Sequence, residues 1–128
     1  MKLARIVLTA TLGFVLAGAA YAEVKAVKSG TTTAVAARVF YNKHSCAVAP
    51  PGDVKILREP KHGKVTVRQI RRKLTGACTS STGTYNVFYY TPDRGYTGAD
   101  SFRYSLSFPG NLNREIRGRS ATVKISVQ

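Results

Sequence analysis

At 128 residues the chain has room for one domain with a modest core and not for two. Twenty Lys and Arg stand against six Asp and Glu, a formal net charge of +14, which implies attraction to anionic surfaces and, with so few carboxylates, argues against a site for hard cations. Two His and two Cys leave little material for a nucleophile with its base, or for a His-rich metal centre.

The chain opens with Lys2 and Arg5, continues through an apolar run over residues 6–19, and reaches Ala20-Tyr21-Ala22. A positive start, a short apolar stretch and small residues at the two positions a signal peptidase reads predict a secretory signal over residues 1–22. The apolar run is about 14 residues, short of the ~20 that span hydrocarbon. Glu23 follows in place of the Cys that lipoprotein attachment needs. No later stretch is long and apolar enough to be a transmembrane segment. The expected mature domain, residues 23–128, carries eighteen Lys and Arg against six acids, a net charge of +12. The expected location is the periplasm or the exterior.

Alternation dominates the rest. Over residues 33–41, Val35, Ala37, Val39 and Tyr41 fall on one strand face. A loop over 42–51 carries Cys46 and ends in the turn residues Pro50-Pro51-Gly52-Asp53. Residues 54–57 form a short apolar strand. After His62-Gly63, Val65 and Val67 alternate with Lys64, Thr66 and Arg68 over 63–69. A second loop, predicted over 71–83, is rich in Thr, Ser and Gly and carries Cys78. Residues 85–91 have aromatic or β-branched side chains on both faces, as an interior strand does. The turn Pro92-Asp93-Arg94-Gly95 leads to 101–108, with Phe102, Tyr104, Leu106 and Phe108 inward. Past Pro109-Gly110-Asn111, the last strand places Ala121, Val123, Ile125 and Val127 inward. Nothing after residue 22 sustains a 3.6-residue period. Six or seven short strands with mostly hairpin-like connections predict an all-β, antiparallel β-sandwich.

In an oxidising compartment an even pair of cysteines predicts the disulfide Cys46–Cys78. Closing a loop of that size stabilises a fold by roughly 3–4 kcal/mol. The alternative adds His44 and His62 for a two-Cys, two-His metal site, but His62 and Cys78 stand alone without the short paired spacings of zinc ligands. Asp53, Asp93 and Asp100 fall in separate turns and form no calcium cluster. There is no nucleophile elbow and no phosphate-cradling glycine loop, so no cofactor and no enzymatic activity are expected.

Two basic runs stand out. Arg68-Gln69-Ile70-Arg71-Arg72-Lys73 lies at a predicted strand end and the loop after it, and Arg114-Glu115-Ile116-Arg117-Gly118-Arg119 precedes the last strand. Arg68, Arg71, Arg72, Lys73, Arg114, Arg117 and Arg119 are the candidate polyanion-binding residues. Against that stands a solvated edge, where cations discourage edge-to-edge pairing.

Three segments carry a family resemblance: Pro60-Lys61-His62-Gly63-Lys64-Val65-Thr66, the run from Tyr90-Thr91-Pro92 through Gly95-Tyr96-Thr97-Gly98-Ala99-Asp100-Ser101-Phe102-Arg103-Tyr104, and Ala121-Thr122-Val123-Lys124-Ile125-Ser126-Val127. Together they resemble the bacterial Ig-like, cadherin-like domains repeated in large surface proteins, over most of residues 60–128. The resemblance implies an Ig-like sandwich with adhesive or structural duties and no catalysis. Family members usually occur in tandem acidic arrays; a single basic domain with a Cys pair departs from that pattern. Within the motif, Pro92 presets a turn, Gly95 and Gly98 suit positive φ, Asp100 suits backbone N–H groups in the corner, and Tyr96, Phe102 and Tyr104 supply apolar surface.

The reading that follows is an exported, non-catalytic binding or structural module of the cell envelope, contacting anionic polymers or an acidic protein. A second reading is a secreted inhibitor or effector presenting residues 75–83 to a protein target. Export argues against a role in specific nucleic-acid binding.

Overall fold

In the computed structural model, residues 23–107 and 119–128 are described. The strands are β1 (Val24–Val27), β2 (Thr33–Arg38), β3 (Asp53–Arg58), β4 (Gly63–Lys73), β5 (Thr82–Pro92), β6 (Gly98–Ser107) and β7 (Arg119–Val127), with one 3-10 turn at Gly76–Cys78. They form two sheets, one ordered β1-β7-β6-β3 and the other β2-β5-β4. The described residues therefore form an all-β, seven-stranded sandwich. The expected signal segment 1–22, Phe108 and the turn residues 109–111 lie outside the described residues.

The interior follows from alternation. Phe102, Tyr104 and Leu106 of β6 and Val123, Ile125 and Val127 of β7 are buried. From the opposite sheet Phe88 closes on them, its ring 4.2 Å from Tyr104 and 6.0 Å from Phe102 between centroids. Aromatic pairs at such separations add to the burial of their own area. Residues of β5 on both faces are buried, Val87 as well as Phe88 and Tyr90, because β5 is the middle strand of its sheet.

Four expectations change. First, β4 does not end near Gln69. It pairs with β5 without interruption from Gly63↔Pro92 to Lys73↔Thr82, so Arg71, Arg72 and Lys73 belong to a strand. The connection shrinks from the predicted 71–83 to residues 74–81. The strand is hidden in the sequence because its end carries cations on both faces: Gln69, Arg71, Arg72 and Lys73 are all exposed, so no apolar alternation marks it.

Second, the register of β2 shifts between Ala34 and Ala36. The bulge breaks the expected single face of Val35, Ala37, Val39 and Tyr41. Val35 is buried in the core, and beyond the bulge Ala36 and Phe40 pack against it. Val39 turns instead to the outer side, where an added Cβ on Gly83 would lie 3.0 Å from it.

Third, β1 pairs with β7 in parallel, Val24↔Lys124 to Val27↔Val127, whereas the remaining strand pairs are antiparallel. Fourth, the connections are mostly not hairpins. The chain crosses between sheets at β1–β2, β2–β3, β3–β4 and β5–β6, which two stacked layers require when neighbours in sequence belong to different layers.

The predicted loop over 42–51 is folded as well. Phe40 and Ala49 share a backbone bond, Tyr41 and Val48 form a β-bridge, and the Asn42 side chain accepts the amides of His44 and Ser45. Cys46 and Cys78 are joined by a disulfide with their Cα atoms 5.5 Å apart, which removes both thiols from the metal-site alternative. The bridge ties this small hairpin to the 3-10 turn. Leu74, Cys78, Gly83 and Val87 are buried under it, outside the main core cluster.

Candidate polyanion interface

The order β2-β5-β4 makes β4 an edge strand. Its basic end stands opposite uncharged partners: Arg71 against Thr84, Arg72 against Gly83, and Lys73 against Thr82. All four cations of the run are exposed. Among the described residues the one ion pair is Lys25–Glu23, at 2.7 Å and far from this edge in sequence. Among the described residues, then, no carboxylate pairs with the cations of β4. Arg68 lies over the ring of Tyr89, 6.0 Å from its centroid, and the two share a depression of about 420 Å³ with Thr32, Thr66 and Thr91 on the outer face of the three-stranded sheet.

Arg119 starts β7 in the other sheet and lines a different cleft, of about 220 Å³, beside Arg38, Phe40, Tyr104 and Leu106. There Arg38 donates from Nε to the Tyr104 hydroxyl at 2.6 Å. Arg114 and Arg117 lie outside the described residues. The structure thus gathers the first basic run on one strand and sets Arg119 apart from it.

The motif residues build a corner at the other end of the sandwich. Asp100 accepts the amides of Lys61 and His62 at 3.0 Å each, its neighbour's amide from Ser101 at 2.9 Å, and the Tyr90 hydroxyl at 2.7 Å. Burial pushes the Asp100 carboxyl up, but the bonds from Tyr90, Ser101, Lys61 and His62 outweigh it and hold the group below its ordinary range. Burial raises the Tyr90 hydroxyl, and the carboxylate beside it raises it further. The ring of Tyr90 also explains Gly63, since a Cβ there would sit 2.6 Å from that ring and from the Thr91 carbonyl. His62 stacks on Tyr96 at 4.0 Å, and the Tyr96 hydroxyl donates to the Ala99 carbonyl at 2.6 Å. Gly95 and Gly98 take positive φ of 80° and 128°. Pro92 is buried at the end of β5 opposite Gly63, and the next residue, Asp93, donates its amide across to the His62 carbonyl at 2.8 Å, so the missing N–H of Pro92 points away from β4 and breaks no bond to it. The polar groups of Asp100, Tyr90 and Tyr96 are thus taken up by bonds within the corner itself.

One surface was invisible to a search for runs of charge. On the outer face of the four-stranded sheet Lys124 pairs with Ser101, Arg103 with both Thr122 and Arg58, and Ser105 with both Ser120 and Lys55. These residues are far apart in sequence and are brought together by register alone. The usable signal was the set of outward positions in the alternating strands, which are Ser, Thr, Lys and Arg.

No protein-family profile and no curated protein match the chain. Among solved structures, the chain is similar to the one described as the solution structure of amebosin, at a TM-score of 0.47 and 13% identity, over 82% of this chain and 88% of that one. A likeness at that level carries no argument about function, and the surfaces above stand on their own geometry.

Proposed function

We propose that this protein is an exported, non-catalytic module of the cell envelope that binds anionic polymer through the basic end of β4. The observation that carries the reading is the row of exposed cations on an edge strand, Arg68, Arg71, Arg72 and Lys73, with no acidic neighbour across the ladder. An edge that presents both strand faces and unpaired backbone groups offers more donors than a covered strand. The positive start and the small residues ending at Ala22 support export, and the Cys46–Cys78 bridge is a bond that an oxidising compartment preserves. The resemblance to Ig-like, cadherin-like surface domains supports a scaffold role rather than catalysis.

The test is retention of the mature domain on anionic envelope material at low and high salt. Replacing Arg68, Arg71, Arg72 and Lys73 together with Ser is expected to weaken low-salt binding by about tenfold or more and to flatten its dependence on salt. Unchanged retention overturns the reading. The competing reading, in which the connection between β4 and β5 is presented to a protein target, is favoured instead by co-purification with one specific protein that persists at high salt.

A further inference from the structure

We propose that the outer face of the four-stranded sheet is a second binding surface, and that its ligand is an acidic polysaccharide lying along the diagonal Lys124–Arg103–Lys55. The three cations sit on the adjacent strands β7, β6 and β3. Lys124 is level with Ser101, Arg103 lies two residues further along, and Lys55 is level with Ser105, two further again. Each step is one strand across and two residues along, about 8 Å between backbone positions. A single straight line of positive charge therefore crosses the sheet obliquely. All three side chains are exposed.

Four observations point to a sugar polymer. Each row of the ladder that holds one of these cations also holds a hydroxyl: Ser101 beside Lys124, Thr122 beside Arg103, and Ser105 with Ser120 beside Lys55. A hydroxyl both donates and accepts, which suits sugar hydroxyls, while the cations suit the carboxylates between them. Two guanidinium groups on the face are already braced, Arg58 donating to Ser101 Oγ at 2.8 Å and Arg103 to Ser120 Oγ at 3.0 Å. Bracing lowers the ordering entropy that binding must overcome, and each guanidinium keeps further donors for an anion. A depression of about 800 Å³ lies at the Lys124 end of the line, edged by Lys61, Lys124 and Thr122, with Val24, 55% exposed, offering an apolar spot to a ring face. Finally, the outward positions of β6 and β7 carry no aromatic side chain. A single-stranded nucleic acid would find no stacking platform there. Among the described residues, the acidic groups bordering the face are Asp53 and Glu59, while the Asp100 carboxylate is committed to its corner.

Polygalacturonate is the probe, with neutral dextran and oligo-deoxythymidylate for comparison, at about 0.15 M salt where the Debye length is about 8 Å. The face variant is Lys55→Ser, Arg103→Ser and Lys124→Ser together. Its control, Lys28→Ser, Lys43→Ser and Arg94→Ser, removes the same charge from exposed positions elsewhere. A milder pair, Lys55→Ser with Lys124→Ser, keeps the Arg103–Ser120 bond should the triple variant fold poorly. The face variant is expected to bind polygalacturonate about tenfold more weakly, and the control no more than about threefold. Ser105→Ala with Thr122→Ala, which changes no charge, is expected to weaken polygalacturonate binding and leave the oligonucleotide unaffected. Equal losses in face variant and control, or oligonucleotide binding as tight as polygalacturonate binding, overturn the proposal. The same comparison in a background lacking Arg68, Arg71, Arg72 and Lys73 separates the two surfaces. A face-dependent loss that persists there upholds this proposal whatever becomes of the β4 reading, and its disappearance there overturns it.

Discussion

Asp100 shows how much of a corner one carboxylate can hold. Its two oxygens take four donors, two of them amides 38 and 39 residues away in sequence, so the turn before β4 is tied to the start of β6. Because these bonds favour the ionised form, the folded-state value lies below the ordinary 3.8. The resulting stability is fully present above that ordinary value and is lost as pH falls through the lowered one. Asp100→Asn keeps the shape and removes the charge. It is expected to lower stability by about 2 kcal/mol at neutral pH. In urea unfolding it should also show a flatter pH dependence below about pH 4 than the unaltered protein. Equal losses at neutral pH and at pH 3 would mean the carboxylate is not what ties the corner. The sequence disclosed the motif around Asp100 because turn residues are local signals. It did not disclose that Tyr90 is the hydroxyl that meets the carboxylate, since that pairing depends on where β5 ends against β6.

At the scale of elements, burial decided what could be read. Phe102, Tyr104 and Leu106, and likewise Val123, Ile125 and Val127, alternate cleanly because one face of each strand is buried and the other is solvated. The end of β4 has no buried face, so its pairing with β5 left no mark in the sequence. The bulge in β2 was equally silent, because a register shift is a relation between two strands. The cation diagonal on the four-stranded sheet was missed for a related reason: its members come from three strands, and only β3, β6 and β7 side by side place them in line. The cysteine pair was legible because the chain has two cysteines and the expected compartment is oxidising. Its structural role is to hold a small hairpin over Leu74 and Val87, and its 32-residue span sets the size of the effect. Cys46→Ala with Cys78→Ala is expected to lower the free energy of unfolding by roughly 3–4 kcal/mol, read from urea midpoints with and without reductant. The main core of Phe88, Phe102 and Tyr104 stands apart from the bridge, so the folded double variant should keep the strand-dominated circular dichroism of the parent. A midpoint unchanged by loss of the bridge would show that the hairpin holds without it.

For the whole molecule, the placement of charge matters more than its amount. A net charge near +12 on a domain of this size attracts any polyanion, and long-range attraction of that kind sets encounter rates before it sets a ligand. The sandwich, however, divides its cations. The row on β4 belongs to the edge of one sheet, and Lys124, Arg103 and Lys55 belong to the outer face of the other. Two cationic surfaces held on separate layers of a rigid core have a consequence that one diffuse cloud of charge does not: each can hold a different chain, and a bridge between chains gains from multivalency. Beads coated with polygalacturonate are therefore expected to aggregate in the presence of residues 23–128 at intermediate protein-to-bead ratios and to disperse again in excess protein, when separate protein molecules saturate the chains and few have both surfaces engaged. A variant lacking either set of cations is expected to coat the beads without aggregating them. Aggregation that survives the loss of one set would assign the effect to total charge, and the division of cations between the two sheets would then have no part in how the domain meets its ligand.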